Sequence, residues 1–321
     1  MRLSLMLPLV IAAQSIGAQQ SPVENAKAEF FAGRYESAKT LLAPRLAANR
    51  DDPEANYLMG RALLARRDAK GAMPYFERAV DARPNEALYR VWYGRAIGDE
   101  ARAANMLRQP AMISRSKEQL EKAVSLAPDD LEARKAMSEF YAIVPAMFGG
   151  GKAKAREQAA EIGKRNRYQG YIQMAWVLAD GNDPQGAERQ LLEAVQLYPD
   201  SAAVVHALAD LYLFRMNRQP EGFRIEEAFS AKHPHEPIAA FYLGRAAVTA
   251  NMKLDIAEKA LRSYLTYFPK YGEPTIASAH YRLGQMYVQR GDKTAARTEL
   301  ETALKLDPGL TLARTALAAV K

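Results

Sequence analysis

The stretch from Pro53 to Pro84, PEANYLMGRALLARRDAKGAMPYFERAVDARP, decides the fold. Tyr57, Gly60 and Leu63 recur at helical spacing in its first half, and Ala72, Phe76 and Ala79 do so in its second. Pro84 then stops the second helix, because proline cannot continue one. The pattern predicts one helical hairpin. It returns with Ala175, Leu178, Ala187, Leu191, Ala194 and Pro199, and again with Leu283, Gly284, Tyr287, Gly291, Ala296, Leu300, Ala303 and Pro308. Gly60 to Gly94 is 34 residues, as is Ala38 to Ala72, and the prolines at 199, 234, 269 and 308 step by 35, 35 and 39.

These positions resemble the tetratricopeptide repeat, a helix-turn-helix unit of about 34 residues. The resemblance implies an all-α fold, a right-handed α-solenoid of about eight hairpins with a C-terminal capping helix. Units fall near 19–52, 53–86, 87–130, 131–167, 168–201, 202–236, 237–272 and 273–309, with the cap at 310–321. A small residue such as Gly60 or Ala72 lets the two helices approach, while Phe76 or Leu300 fills the space between neighbouring hairpins. In the unit from Ala202, Gly222 and Glu226 sit near the small and bulky positions, so its second helix is expected to be displaced.

The chain has 321 residues, 49% of them apolar and 25% charged, enough for a sizeable core. It has no cysteine, which excludes disulfides, thiolate zinc sites and thiol catalysis. Residues 1–18 differ from the rest: Arg2, the apolar run Leu3 to Ala13, then Gly17 and Ala18 read as a secretory signal peptide. The run is shorter than the roughly 20 residues a membrane-spanning helix needs. The chain is therefore expected to be periplasmic or secreted, with no transmembrane span once the signal is removed. The net charge of +7 is spread with both signs interleaved. That pattern fits a solvated helical surface, or a basic surface for acidic proteins, anionic lipid or wall polymer.

Two departures from the 34-residue period stand out. Between Arg95 and Ala123, about ten extra residues include Met106, Leu107, Met112 and Ile113, with Pro110 expected to interrupt the helix. In the next unit, about five more surround Pro145, Met147, Phe148 and Gly149 to Gly151. Both are expected in the turn from first to second helix, hence as neighbours on one edge. They are either an adaptable apolar binding site or a local extension of the core.

Catalytic signals are thin. A phosphate loop needs Gly, four residues, then Gly-Lys-Ser/Thr, whereas Gly151 and Lys152 precede Ala153 and Ala146 fills the first glycine position. A tight turn before a helix from Lys152 is the expected reading. His233-Pro234-His235 reads as a turn rather than a metal site. No enzymatic activity, metal, cofactor or nucleic-acid partner is expected.

The family resemblance implies partner binding on the concave face. It points to Tyr57 and Arg61, Val91 and Arg95, Ile172 and Trp176, His206 and Asp210, Phe241 and Arg245, and Tyr281 and Gln285. Trp92 reads as core and Trp176 as groove. Arg61, Arg95 and Arg245 recur at one repeat position, which fits an acidic protein or peptide ligand, or pairing with carboxylates on adjacent repeats. Repeats that clamp chaperone tails carry Lys and Asn at two groove positions, and no unit here does; Lys135 is followed by Glu139. The expected function is an exported scaffold that binds another protein. The alternative is a carrier or sensor of a small apolar ligand or anionic envelope polymer, using Met106, Met112, Met147 and Phe148.

Overall fold

A residue that precedes proline is driven out of helical backbone by the proline ring. Arg83, Ala127, Tyr198, His233 and Asp307 each precede a proline and end a helix, with φ between −122° and −135° and ψ between 56° and 89°. The computed structural model describes residues 21–269 and 272–320; the expected signal peptide lies outside them.

Eight hairpins follow one another. They are α1 (Pro22–Phe31) with α2 (Tyr35–Ala48), α3 (Pro53–Ala65) with α4 (Ala69–Ala82), and α5 (Ala87–Ala103) with α6 (Gln109–Leu126). Next come α7 (Leu131–Ile143) with α8 (Lys152–Arg165), α9 (Arg167–Asp180) with α10 (Pro184–Leu197), and α11 (Ala202–Phe214) with α12 (Gln219–Lys232). Last are α13 (Pro237–Ala250) with α14 (Leu254–Tyr264), α15 (Ile276–Arg290) with α16 (Lys293–Leu306), and the closing helix α17 (Thr311–Ala319). No strand occurs among the described residues. Consecutive helices pack on each other, and first helices also meet across hairpins, α5 with α7, α7 with α9, α11 with α13 and α13 with α15. The first helices thus form the inner layer of a solenoid.

Four of the eight hairpins are pinned where the first helix lacks a side chain. A methyl group at Gly60 would lie 2.8 Å from the Phe76 ring, and at Gly284 it would lie 2.6 Å from Leu300. Leu120 covers Gly94 and Leu261 covers Gly244 in the same way. The bulky residue therefore packs first onto the small residue of its own hairpin, rather than only between hairpins. Second helices start on short side-chain caps: Asp68 accepts from the Gly71 N–H and Asp183 from the Gly186 N–H, both at 2.8 Å.

The insertions are resolved differently from expectation. The extra length at 97–116 mostly extends α5 and α6, which have 17 and 18 residues. Pro110 lies in the first turn of α6, where its missing N–H costs nothing, so it starts that helix instead of interrupting one. The second insertion forms a single 3₁₀ turn, Ala146–Phe148, then a glycine turn with φ of 87° at Gly149 and 130° at Gly151 before α8. That 3₁₀ turn packs against α6, so the two insertions are neighbours. Pro269 also departs from expectation: α14 has already ended at Tyr264, and the proline lies in a longer connection.

The array closes on itself. The turn after α1 meets the residues before α15, where a methyl at Gly33 would lie 3.0 Å from Thr275 Cγ2. The turn after α3 meets the α16–α17 connection, where a methyl at Gly309 would lie 3.2 Å from Arg66 Cα. The Arg34 guanidinium sits 5.6 Å from the centre of the Phe268 ring.

Because repeats are stabilised by their own hairpin contact and their neighbours, damage should stay local. Phe76→Ala is expected to lower protection in α3 and α4 by about 3–5 kcal/mol in native-state hydrogen exchange. Met106, 87% exposed, should tolerate serine within about 0.5 kcal/mol.

Candidate binding site

Closure turns the inner face of the first repeats into a cavity of about 670 Å³. Phe30, Phe31 and Tyr35 from the first hairpin form one wall, and Gly272, Glu273 and Thr275 from near the other end approach them. Ile113, Val144, Pro145 and Phe148 come from the two insertions. Trp92 stands between two arginines on this face. The Arg61 guanidinium lies 3.6 Å from the indole centre and that of Arg95 lies 4.9 Å away.

The inner arginines are largely engaged. Arg95 bonds Glu132 and Glu139 of the following repeat. Burial disfavours its charge, yet the two carboxylates outweigh this and its pKa rises above the usual value. Arg245 bonds Asp210 of the preceding repeat and lies over Tyr242 at 4.4 Å. Burial raises the pKa of Asp210, and Arg245 only partly offsets it. Arg61 donates to the Tyr57 hydroxyl and packs on Phe30. Of the two readings of these arginines, pairing with neighbouring repeats describes Arg95 and Arg245.

Most of the expected groove residues are wall, not surface. Tyr57, Arg61, His206, Phe241 and Tyr281 are all buried. Tyr57 lies flat on Tyr89 of the next repeat's first helix at 4.9 Å, and Phe241 packs on Tyr264, at the end of the second helix of its own hairpin, at 5.1 Å. Trp176 is partly buried against Tyr141 and the Ala142, Ala155, Val177 cluster, whereas Trp92, read as core, lines the cavity. Of the expected insertion-site residues Met106, Met112, Met147 and Phe148, only Phe148 lines the cavity. Met106 and Met147 are 87% and 82% exposed and do not line it, and Met112 packs on the N-terminal core.

The sixth hairpin carries a polar core. Glu226 is fully buried at the position that Phe76 or Leu300 fills elsewhere, and α12 keeps its place because His206 answers it. The imidazole Nδ1 lies 2.9 Å from a Glu226 carboxylate oxygen, and the ring stacks on Tyr242 at 3.7 Å. No group of three or more metal-ligating side chains occurs among the described residues. His233 ends α12, its ring stacked on Phe229 at 4.3 Å.

A second, smaller pocket of about 320 Å³ lies between α13, α15 and α17, lined by Phe241, Tyr242, Arg245, Glu273, Tyr281, Arg282 and Leu312 among others. Arg282 donates to Gln285 at 2.8 Å and makes no ion pair among the described residues. Burial, and the nearby charge of Arg245, hold its pKa below the usual guanidinium value despite partial support from Tyr281 and Asp210. Sequence reading passed over Arg282 because it follows a groove position rather than occupying one.

The buried pair makes a clear prediction. Glu226→Leu leaves the His206 nitrogen without its acceptor and is expected to cost about 1–3 kcal/mol. Adding His206→Phe removes the orphaned group, so the double variant should recover wild-type stability or exceed it. Thermal unfolding of the single and double variants reads the difference.

The sequence profile of the tetratricopeptide repeat matches residues 23–87 and 277–310. No curated protein sequence matches the chain. Among solved structures, the chain is similar to yeast Tom70, with a TM-score of 0.58 at 16% identity over 98% of this chain and 67% of that one. It is also similar to a thermophilic tetratricopeptide-repeat protein of Thermus thermophilus, with a TM-score of 0.51 at 20% identity over 61% and 100%. A third is the human IFIT1 dimer solved with m7Gppp-AAAA, with a TM-score of 0.51 at 18% identity over 92% and 70%. At these identities the likeness is one of fold. No helix among the described residues is long and apolar enough to cross a membrane. With the repeat profile at both ends of the array and the same hairpin between them, the chain is a tetratricopeptide-repeat protein, built on a fold that serves as a scaffold for protein–protein interaction.

Proposed function

We propose that this scaffold works in the cell envelope and captures an acidic segment of a partner protein at the pocket around Arg282. The observation that carries the reading is a half-buried guanidinium that lines an open pocket and makes no ion pair among the described residues. A carboxylate placed there gains a charge-assisted, two-pronged hydrogen bond. It also offsets the burial and the nearby Arg245 charge that together hold the Arg282 pKa down. Tyr242 and Leu312 on the same rim offer apolar contact to the residues beside that carboxylate. Arg95 and Arg245, already held by carboxylates, act as struts between repeats in this account.

Selection of a random peptide library against the purified protein tests the reading. The wild type should enrich Asp- or Glu-containing peptides whose affinity falls with added salt. Arg282→Gln should weaken them at least about tenfold while the thermal midpoint holds. Peptides without acidic residues, or equal binding to Arg282→Gln, would overturn it.

The envelope assignment rests on Arg2, the apolar run Leu3 to Ala13 and the small residues Gly17 and Ala18. Mass spectrometry of the native protein should find an N-terminus near Gln19 in the envelope fraction. A chain that keeps Met1 and stays in the cytosol would contradict it.

A further inference from the structure

We infer that the larger cavity is a binding site for a small, uncharged, largely apolar molecule. This role goes beyond peptide capture at Arg282. The volume of about 670 Å³ falls within the range of about 300–1,000 Å³ that holds small organic ligands. Its body is apolar: Phe31, Leu64, Trp92, Ile113, Ile143 and Phe148 present rings and branched chains to one space.

Charge and hydrogen bonding narrow the ligand further. Among the described residues, three arginines, Arg61, Arg95 and Arg102, and three carboxylates, Asp99, Glu139 and Glu273, border the cavity, so the formal charges of these six cancel. Arg95 is held by Glu139, and Arg102 by Asp99. A charged ligand would lose its hydration and meet no net opposite charge. An extended peptide fares poorly for a related reason, because each of its residues brings a donor and an acceptor that need partners.

The insertions acquire a purpose in this account. The residues that exceed the 34-residue repeat carry Ile113, Val144 and Phe148 to the cavity, and closure of the array brings Phe31 and Thr275 to it. The ligand would thus touch both ends of the chain and its middle.

The test uses the neutral fluorophore N-phenyl-1-naphthylamine. Trp92 and Trp176 are the only tryptophans, so Trp176→Phe leaves Trp92 as sole donor for energy transfer to the probe. The expected result is saturable transfer at one probe per chain. 1-Decanol should displace the probe, and decanoate should do so at least about tenfold more weakly. Ala65 is exposed yet borders the cavity, so Ala65→Phe should narrow it and weaken binding at least about tenfold with helical circular dichroism intact. Leu107→Ser, at the 92% exposed tip, and Arg282→Gln should leave probe binding unchanged, which separates this site from the peptide pocket. No saturable transfer would overturn the inference. So would loss of binding in Leu107→Ser with Ala65→Phe unaffected, or displacement by decanoate as strong as by decanol.

Discussion

Half of the eight hairpins turn on one contact, between a helix position without a side chain and the large side chain that covers it. Phe76 over Gly60, Leu120 over Gly94, Leu261 over Gly244 and Leu300 over Gly284 repeat one geometry. Two helices that touch this closely have their relative angle fixed, and a fixed angle repeated along the chain makes a curved array. Small errors would accumulate over eight hairpins, so the accuracy of each contact decides where the two ends arrive. They arrive against each other, Gly33 at Thr275 and Arg66 at Gly309.

The sixth hairpin departs from that chemistry while keeping its geometry. Glu226 takes the bulky position, and the buried carboxylate is tolerated because His206 and the rings of Tyr242 and Phe229 enclose its partner. Nearby, Asp210 and Arg245 tie the sixth repeat to the seventh. Polar pairs of this kind gain little net stability over well-packed apolar residues. Here they adjoin the pocket that holds Arg282, so the inner face changes from apolar at its start to charged near its end.

Much of the fold was legible from local chemistry. The Pro53–Pro84 stretch, the recurring small and bulky residues and the pre-proline stops act within one or two turns of chain, and sequence spacing reports them. Pro110 misled because the same residue that breaks a helix interior is at home in its first turn. The candidate site was less legible. Tyr57 is buried because Tyr89 of the next repeat stacks on it, and Phe241 because Tyr264 of its own hairpin covers it, while Trp92 lines the cavity. Arg282 could be recognised only once its surroundings were known, since no spacing in sequence reveals which arginine lacks a carboxylate. Closure between residues more than two hundred positions apart is the sum of many small rotations.

The larger cavity takes its walls from both ends of the array, so closure is the claim to test most directly. The chain has no cysteine of its own, and a side chain at Gly309 would start 3.2 Å from Arg66 Cα, so cysteines at these two positions would lie against each other. The measurement is the extent of intramolecular disulfide formation in an Arg66→Cys, Gly309→Cys double variant under mild oxidation, read by mass spectrometry and thiol titration. Near-complete bridging in the monomer with unchanged helicity is the result predicted. Two thiols that stay reactive in a folded monomer would mean that the ends stand apart and the cavity is open.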